Sequence, residues 1–311
     1  MVSSDSNILV SVGIPVVKAT YLFNTIQCCI NQTYKEIEII VVNNAADKTV
    51  GDNIEKIVNS IDDRRIKYYR NAQQLPMIQN WNLTFKYATG SFFSILCDDD
   101  TWHPGFISTM INLSGKYPKV NLFHSRVLIT NENPHEESLL SPLCHEYEDS
   151  LDFIYHRIKS LRIQYLSDFL VRSASLAKIG GFFDLPDGWG SDDITWYKVA
   201  LTGEGVAYSD NPLFIYNNNT ENVTNSKKLE NKFKSLQAYI SEVKLLIGNF
   251  SAKSDIDIIK NNMILSELPN CYKRSYMSLF EKRIKSYRFM PPLLMPLART
   301  YIKVKNNLFG W

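Results

Sequence analysis

The chain opens with a strongly β-branched, almost wholly apolar run, Ile8 to Val17 (ILVSVGIPVV), and meets a second one at Glu36 to Val42 (EIEIIVV). Strands apolar along their whole length must be covered on both faces, which a parallel sheet clothed by helices provides. The intervening residues fit that demand, because Leu22, Ile26, Cys29 and Ile30 recur at helical spacing between Tyr21 and Gln32. The rhythm then repeats. Val50 to Ser60 predicts a helix, Arg65 to Arg70 a short strand, Ile78 to Ala88 a helix closed by Gly90, and Ser91 to Leu96 a strand. Strands alternating with helices predict a doubly wound α/β sheet.

Beyond that point the pattern loosens. Pro104 to Lys116 predicts a helix and Asn121 to Thr130 a strand. Asn131 to Asp152 carries seven acidic residues and two prolines and reads as a loop or lid. Ser191 to about Leu201 reads as a helix, Gly205 to Tyr216 as a pair of strands, and Asn217 to Lys228 as a polar linker followed by helix to the end. A division follows, with residues 1–225 as the α/β domain and 226–311 as a helical extension.

Composition narrows the function classes. Hydrophobic residues make up 45% and charged residues 21% of 311, which excludes a disordered chain. The net charge of +2 makes no case for nucleic acid as a partner. That small sum conceals an asymmetry, since nine basic residues and one acidic residue lie between Lys273 and the end. Met277, Phe280, Ile284 and Tyr287, then Leu297, Tyr301, Val304 and Leu308, fall at helical spacing among those charges. Pro291, Pro292 and Pro296 part the two runs, so two short amphipathic helices are expected. Apolar faces combined with basic charge are the two signals that docking on an anionic membrane surface requires. Five cysteines without a CxxC pair suit a reducing compartment. No basic-then-apolar leader and no apolar run of about 18 residues occurs. The expected location is cytoplasmic, peripheral on the inner face of the plasma membrane.

Two stretches carry chemistry. In SFFSILCDDDTWHPG an apolar strand runs directly into Asp98, Asp99 and Asp100. Ligands of open α/β sheets bind outside the carboxyl ends of the strands. Three adjacent carboxylates there repel one another unless a cation intervenes, and Mg²⁺ or Mn²⁺ held by carboxylates completes its shell with substrate phosphates. The bland alternative is that the acids only cap the next turn. In GGFFDLPDGWGSDDITWYKVAL, Ser191 occupies an N-cap position with Asp192 and Asp193 in the first helical turn. Acids at that place are stabilised by the helix dipole, so a capping role stands beside a catalytic one.

Taken together, these segments resemble the family 2 inverting glycosyltransferases of the GT-A fold over about the first 225 residues. The similarity lies in VSVGIPVVKATYLFNTIQCCINQTYKEIEIIVVNNAADKT, in RIKYYRN, and in NWNLTFKYATGSFFSILCDDDTW. The resemblance implies a Rossmann-like mixed sheet flanked by helices, with a C-terminal helical extension. It also implies metal-dependent transfer of a sugar from a nucleotide-diphosphate donor, UDP-sugar favoured, with Mn²⁺ or Mg²⁺ as cofactor. The acceptor would be a saccharide or lipid-linked saccharide in cell-surface polysaccharide synthesis.

Residue by residue, the resemblance implies that Pro15 and Val17 present backbone to the nucleotide and that Asn82 lies on a donor-side helix. Asn43 and Asn44 stand where the family usually has two Asp residues, one of which accepts a hydrogen bond from uracil. Trp81 stands where many members have an Arg. Asp98 faces the ribose, and the metal falls to Asp98, Asp99 or Asp100; Cys97 replaces the usual first Asp of the motif. Asp192 aligns with the general base, Ser191 replacing the Glu that usually precedes it. Trp189 and Asp193 fall on the acceptor side, Trp189 either stacking on a sugar or packing in the core. A sugar-1-phosphate nucleotidyltransferase would share the α/β core and an acid-bound Mg²⁺. Its usual Gly-rich basic loop is represented here by VVKATYLF, which has one Lys and no Gly. A non-catalytic relative serving as a membrane scaffold is the third option.

Overall fold

The computed structural model describes residues 8–131, 137–218 and 229–286. Four parallel strands form one half of the sheet: β1 (Val10–Val16), β2 (Ile37–Asn43), β3 (Ile66–Arg70) and β4 (Phe92–Ile95). Helices α1 (Leu22–Ile30), α2 (Lys48–Asn59) and α3 (Met77–Lys86) connect them. The other half contains the short β5 (Thr101–Trp102), β6 (Leu122–Asn131), β7 (Leu139–Leu140), β8 (Tyr147–Glu148), β9 (Phe169–Arg172) and β10 (Val206–Asn218). The main order is β3-β2-β1-β4-β9-β6-β10-β5, and β9 runs antiparallel to both β4 and β6. The sheet is therefore mixed, as expected.

Alternation along the strands sorts side chains into two cores. Phe92, Phe123, Leu170 and Ala207 face one side, with α1, α2 and α4 (Phe106–Lys116). Their neighbours Phe93, Leu122, Phe169, Val171 and Val206 face the other. That second side is covered by α3, α5 (Ser150–Ile158), α7 (Ser191–Leu201), α8 (Leu229–Gly248) and α9 (Asp255–Ser286), α6 (Ser173–Lys178) lying between β9 and α7 in the chain. Leu236, Tyr239, Val243, Ile264 and Leu268 of α8 and α9 are buried in this cluster, so the C-terminal helices pack directly on the sheet body.

Several expectations change. Gly205 to Tyr216 is one strand rather than a pair, because both halves pair with β6. The register shifts around Ser209, Pro212 and Phe214, as a bulge at a donorless proline allows. Within Asn131 to Asp152, Leu139–Leu140 pairs with β6 and Tyr147–Glu148 with β10, and α5 already begins at Ser150. The 225/226 boundary, the linker from residue 219 and the tail from residue 287 lie outside the described residues. Among the described residues, no helix is long and apolar enough to cross a membrane.

Candidate active site

The first acidic cluster forms where β4 ends. Leu96 N–H still bonds Gly13 C=O, and the chain then turns with Asp100 N–H on Cys97 C=O at 3.2 Å. Val17 N–H donates to Asp98 Oδ2 at 3.4 Å, while Thr25 Oγ1 donates to the Asp98 carbonyl at 3.0 Å. The expected backbone of Val17 and the expected carboxylate of Asp98 thus meet each other, with Pro15 two residues upstream in β1. From the far side of the sheet, Asn217 Nδ2 donates to the Asp99 carbonyl at 2.6 Å. Burial and the neighbouring Asp99 push the Asp98 carboxyl up to about 6. Asp100 is buried and raised well above the usual carboxylate range for the same two reasons. Its Oδ2 accepts from Ser167 Oγ at 2.7 Å, whereas Oδ1 is buried without a hydrogen-bond partner among the described residues. An orphaned buried carboxylate oxygen costs free energy that a cation would offset. Hard carboxylate oxygens suit Mg²⁺ or Mn²⁺, so the residues fit such an ion. The described residues contain no ready-made group of three or more metal-binding side chains.

The second cluster is built by a strained loop. Asp187, Gly188 and Gly190 have φ of 56°, 70° and 81°. Glycine suits positions 188 and 190 because both lie at positive φ, and Gly190 opens α7 in the left-handed region. Gly190, not Ser191, is therefore the cap residue; Ser191 Oγ instead accepts from Leu185 N–H at 3.0 Å. Asp193 turns inward. Arg157 Nε donates to both of its oxygens, and Gln164 Nε2 donates to Oδ1 at 2.8 Å. Asp193, expected on the acceptor side, is thus held in an ion pair with Arg157. Asp192 remains partly exposed, and burial together with the Asp193 charge pushes it up to about 7 although Arg157 opposes them. The helix end would lower this pKa, but desolvation and the like charge prevail. Trp189 is half-buried against the core cluster, its carbonyl accepting from Ser235 Oγ of α8 at 2.7 Å.

The other residues expected on the donor side have these surroundings. Asn43 and Asn44 are only 1% and 3% exposed. Asn43 Nδ2 donates to the Gly51 carbonyl and to Tyr68 Oη, and its Oδ1 accepts from Ala45 N–H. Asn44 Oδ1 accepts from Asn71 Nδ2 and Leu75 N–H, each at 2.8 Å. Both side chains brace the turns after β2. Asn82 is a two-point clamp, taking Phe182 N–H at 2.7 Å and giving Nδ2–H to the Phe182 carbonyl at 3.0 Å. Trp81 packs edge-on against Phe182 in the core. Sequence reasoning missed Arg157, Gln164 and Ser167, the side chains that hold the two clusters. The only signal was a polar Gln and Ser three apart in QYLSD, just before the apolar FLVR.

The model of the family described as glycosyl transferase family 2 matches residues 11–177, more than half of the chain. An uncharacterized glycosyltransferase of Rickettsia typhi is 28% identical over 210 residues, covering 67% of this chain and 63% of the relative. An Escherichia coli UDP-Glc:alpha-D-GlcNAc-diphosphoundecaprenol beta-1,3-glucosyltransferase is 32% identical over 91 residues, 29% of this chain and 35% of that one. The chain thus spans less than two thirds of either relative. Staphylococcus aureus TarS in complex with UDP-GlcNAc superposes with a TM-score of 0.63 at 15% identity, covering 85% of this chain and 72% of that one. The Pyrobaculum calidifontis mannosyltransferase PcManGT, in complex with GDP-Man and Mn²⁺, gives 0.57 at 14% identity, covering 96% and 87%. These two likenesses are of fold, the GT-A fold.

Proposed function

The chain belongs to glycosyl transferase family 2, and on that premise we propose that it transfers a sugar from a nucleotide-diphosphate donor, with inversion, to a saccharide or lipid-linked saccharide acceptor. The observation that carries this reading is the division of labour at the start of α7. Asp193 is locked by Arg157 and Gln164, while Asp192 is left partly exposed with its carboxyl near neutrality. A base must exchange protons at working pH, and a carboxylate pushed up to about 7 does so. In the reaction, Asp192 takes the proton of the acceptor hydroxyl as that oxygen bonds to the anomeric carbon. The bond from that carbon to the diphosphate oxygen breaks on the opposite face, and the nucleoside diphosphate leaves.

On the donor side, the β1 backbone through Val17 and the Asp98 carboxylate frame the nucleotide. Asp98, Asp99 and Asp100 are the residues that would hold Mn²⁺ or Mg²⁺. Such a cation, when bound, neutralises the charge on the departing diphosphate. Mn²⁺ accompanying GDP-Man in the Pyrobaculum structure supports a metal here. UDP-linked sugars are favoured because UDP-GlcNAc and UDP-Glc accompany TarS and the E. coli relative. That relative's diphosphoundecaprenol acceptor supports a lipid-linked acceptor and a role in cell-surface polysaccharide assembly. Such an acceptor would suit docking of the basic tail on an anionic leaflet at the cytoplasmic face. Tyr276 and Phe280, exposed beside Lys273 and Arg274 on α9, are the apolar and basic groups that support it among the described residues.

The test is Asp192→Asn with a donor panel of UDP-glucose, UDP-N-acetylglucosamine and GDP-mannose in Mn²⁺. Turnover falls by at least ~10²-fold while UDP binding persists. Wild-type turnover in the variant would reduce Asp192 to a helix cap.

A further inference from the structure

The connection from α5 to β9 touches both acidic clusters within one turn of chain. Gln164 Nε2 donates to Asp193 Oδ1 at 2.8 Å, and three residues later Ser167 Oγ donates to Asp100 Oδ2 at 2.7 Å. Three residues span about 10 Å at most when fully extended. The base-side and donor-side carboxylates therefore cannot separate without stretching this segment or breaking one of the two bonds.

Both ends of the segment are anchored. Ser167 Oγ also accepts from Cys97 N–H at 3.0 Å, and its carbonyl takes Trp102 Nε1–H at 2.7 Å. Asp168 next to it accepts from Ser125 N–H and Oγ on β6, at 3.1 and 3.2 Å. Gln164 shares Asp193 with Arg157 of α5. Between the ends, Tyr165 stacks on Tyr216 with ring centres 3.9 Å apart, and feels the charges of both Arg157 and Asp100.

We propose that Gln164–Ser167 is a spacing strut, which holds the start of α7 at a set distance from the carboxylate corner after β4. Gln164 and Ser167 are positioning residues in this role. The strut lets the Asp192 carboxylate and the diphosphate-binding side address one anomeric carbon from opposite faces. It rests on the reading of Asp192 as the base. An in-line displacement punishes misplacement. An error of about 1 Å costs on the order of 10²-fold in rate.

A double-mutant cycle tests the strut. Hydrolysis of UDP-glucose, UDP-N-acetylglucosamine and GDP-mannose is measured for Gln164→Ala, Ser167→Ala and the double variant, beside calorimetric titration of UDP with Mn²⁺. Circular-dichroism melts confirm that each variant is folded. Gln164→Ala lowers kcat by about 10²-fold and leaves UDP affinity near the wild-type value, since it frees only the far end. Ser167→Ala lowers kcat similarly and weakens UDP binding, and Ser167→Thr restores both. The double variant is about as slow as the slower single, because one break already releases the spacing. Losses that multiply, unchanged turnover in Gln164→Ala, or equal weakening of UDP binding by both single variants would each overturn the strut. The underlying reading fails separately: Asp192→Asn with wild-type turnover removes the base, whereas a slow Asp192→Asn with a multiplying cycle removes only the strut.

Discussion

Arg157 Nε lies 3.1 and 3.0 Å from the two carboxylate oxygens of Asp193, closing that side chain into an ion pair beside Asp192. Despite burial, the Asp193 charge holds the Arg157 guanidinium firmly protonated. Two adjacent acids at one helix start therefore have different tasks. One binds the helix to α5, and the other stays partly exposed.

This pairing sets a pH dependence with a definite sign. Asp192 accepts a proton only as the carboxylate, so kcat rises with pH through about 7 and is lost below it. Arg157→Gln leaves the Asp193 charge uncompensated beside Asp192 and moves the midpoint upward. Asp193→Asn removes the like charge, leaves Arg157 in place and moves the midpoint downward. pH profiles of kcat for the three proteins check this, and shifts in the same direction would assign the acid limb to another group.

A second expectation concerns the cation. Mn²⁺ raises the melting temperature of the wild-type protein, since it offsets the charge of the buried Asp100 and its neighbours, and a chelator reverses the gain. Asp99→Ala and Asp100→Ala each lose the Mn²⁺-dependent part of UDP binding. Calorimetry in Mn²⁺ and in EDTA measures it, and unchanged affinity in both variants would remove the metal from the corner.

The clamp role of Asn82 separates from a donor contact by stability. Asn82→Ala leaves the Phe182 N–H and carbonyl without their partner, at a cost of about 1–3 kcal/mol. Gly181→Ala acts in the same direction, because its φ is +91° and a Cβ would lie 2.3 Å from Asn82 Oδ1. Urea denaturation measures the loss, with UDP affinity expected to change little in Asn82→Ala. A large drop in UDP affinity at unchanged stability would assign Asn82 to the donor site.

Far from the site, Glu38 tests what holds the sheet together. Its Oε1 accepts from Ser11 Oγ, Thr89 N–H and Thr89 Oγ1, and its Oε2 meets Lys67 Nζ. Burial raises its pKa, but Lys67 and these donors outweigh burial and hold it below the usual glutamate range. Because the folded-state value is depressed, the stabilisation is present above the unfolded value and is lost as pH falls through the folded one. Glu38→Gln turns an amide toward Lys67 or toward three donors, and costs about 2–3 kcal/mol at pH 7. Urea midpoints at pH 7 and pH 3 check this, with the gap between variant and wild type closing at the lower pH.

Much of this was legible in the chain. The first four strands and three helices, and the helix from Ser191 to Leu201, lie within a residue or two of their expected places, because each carries its own apolar period. The stretch from Ser150 to Arg172 was not legible. Its short helices and the antiparallel β9 have too few residues to show a period, and β9 is held by pairing with β4 and β6. Asn43, Asn44 and Asn82 were expected at the donor because homologous positions are read in one dimension. Their side chains bond to Tyr68, Leu75 and Phe182, which only folding brings to them.

The sequence by itself determined the α/β layering and the two places where carboxylates gather, since an apolar strand running into Asp98–Asp100 and a Gly-rich turn running into Asp192–Asp193 are local patterns. The tertiary structure decided which of those carboxylates is available. Asp193 is claimed by Arg157 and Gln164, Asp100 by Ser167, and Asp192 by neither cluster's partners. The reason is physical: a carboxylate's protonation and reach are set by the charges and donors within a few ångströms, and here those arrive from α5 and the segment after it, distant in the chain from the acids they hold.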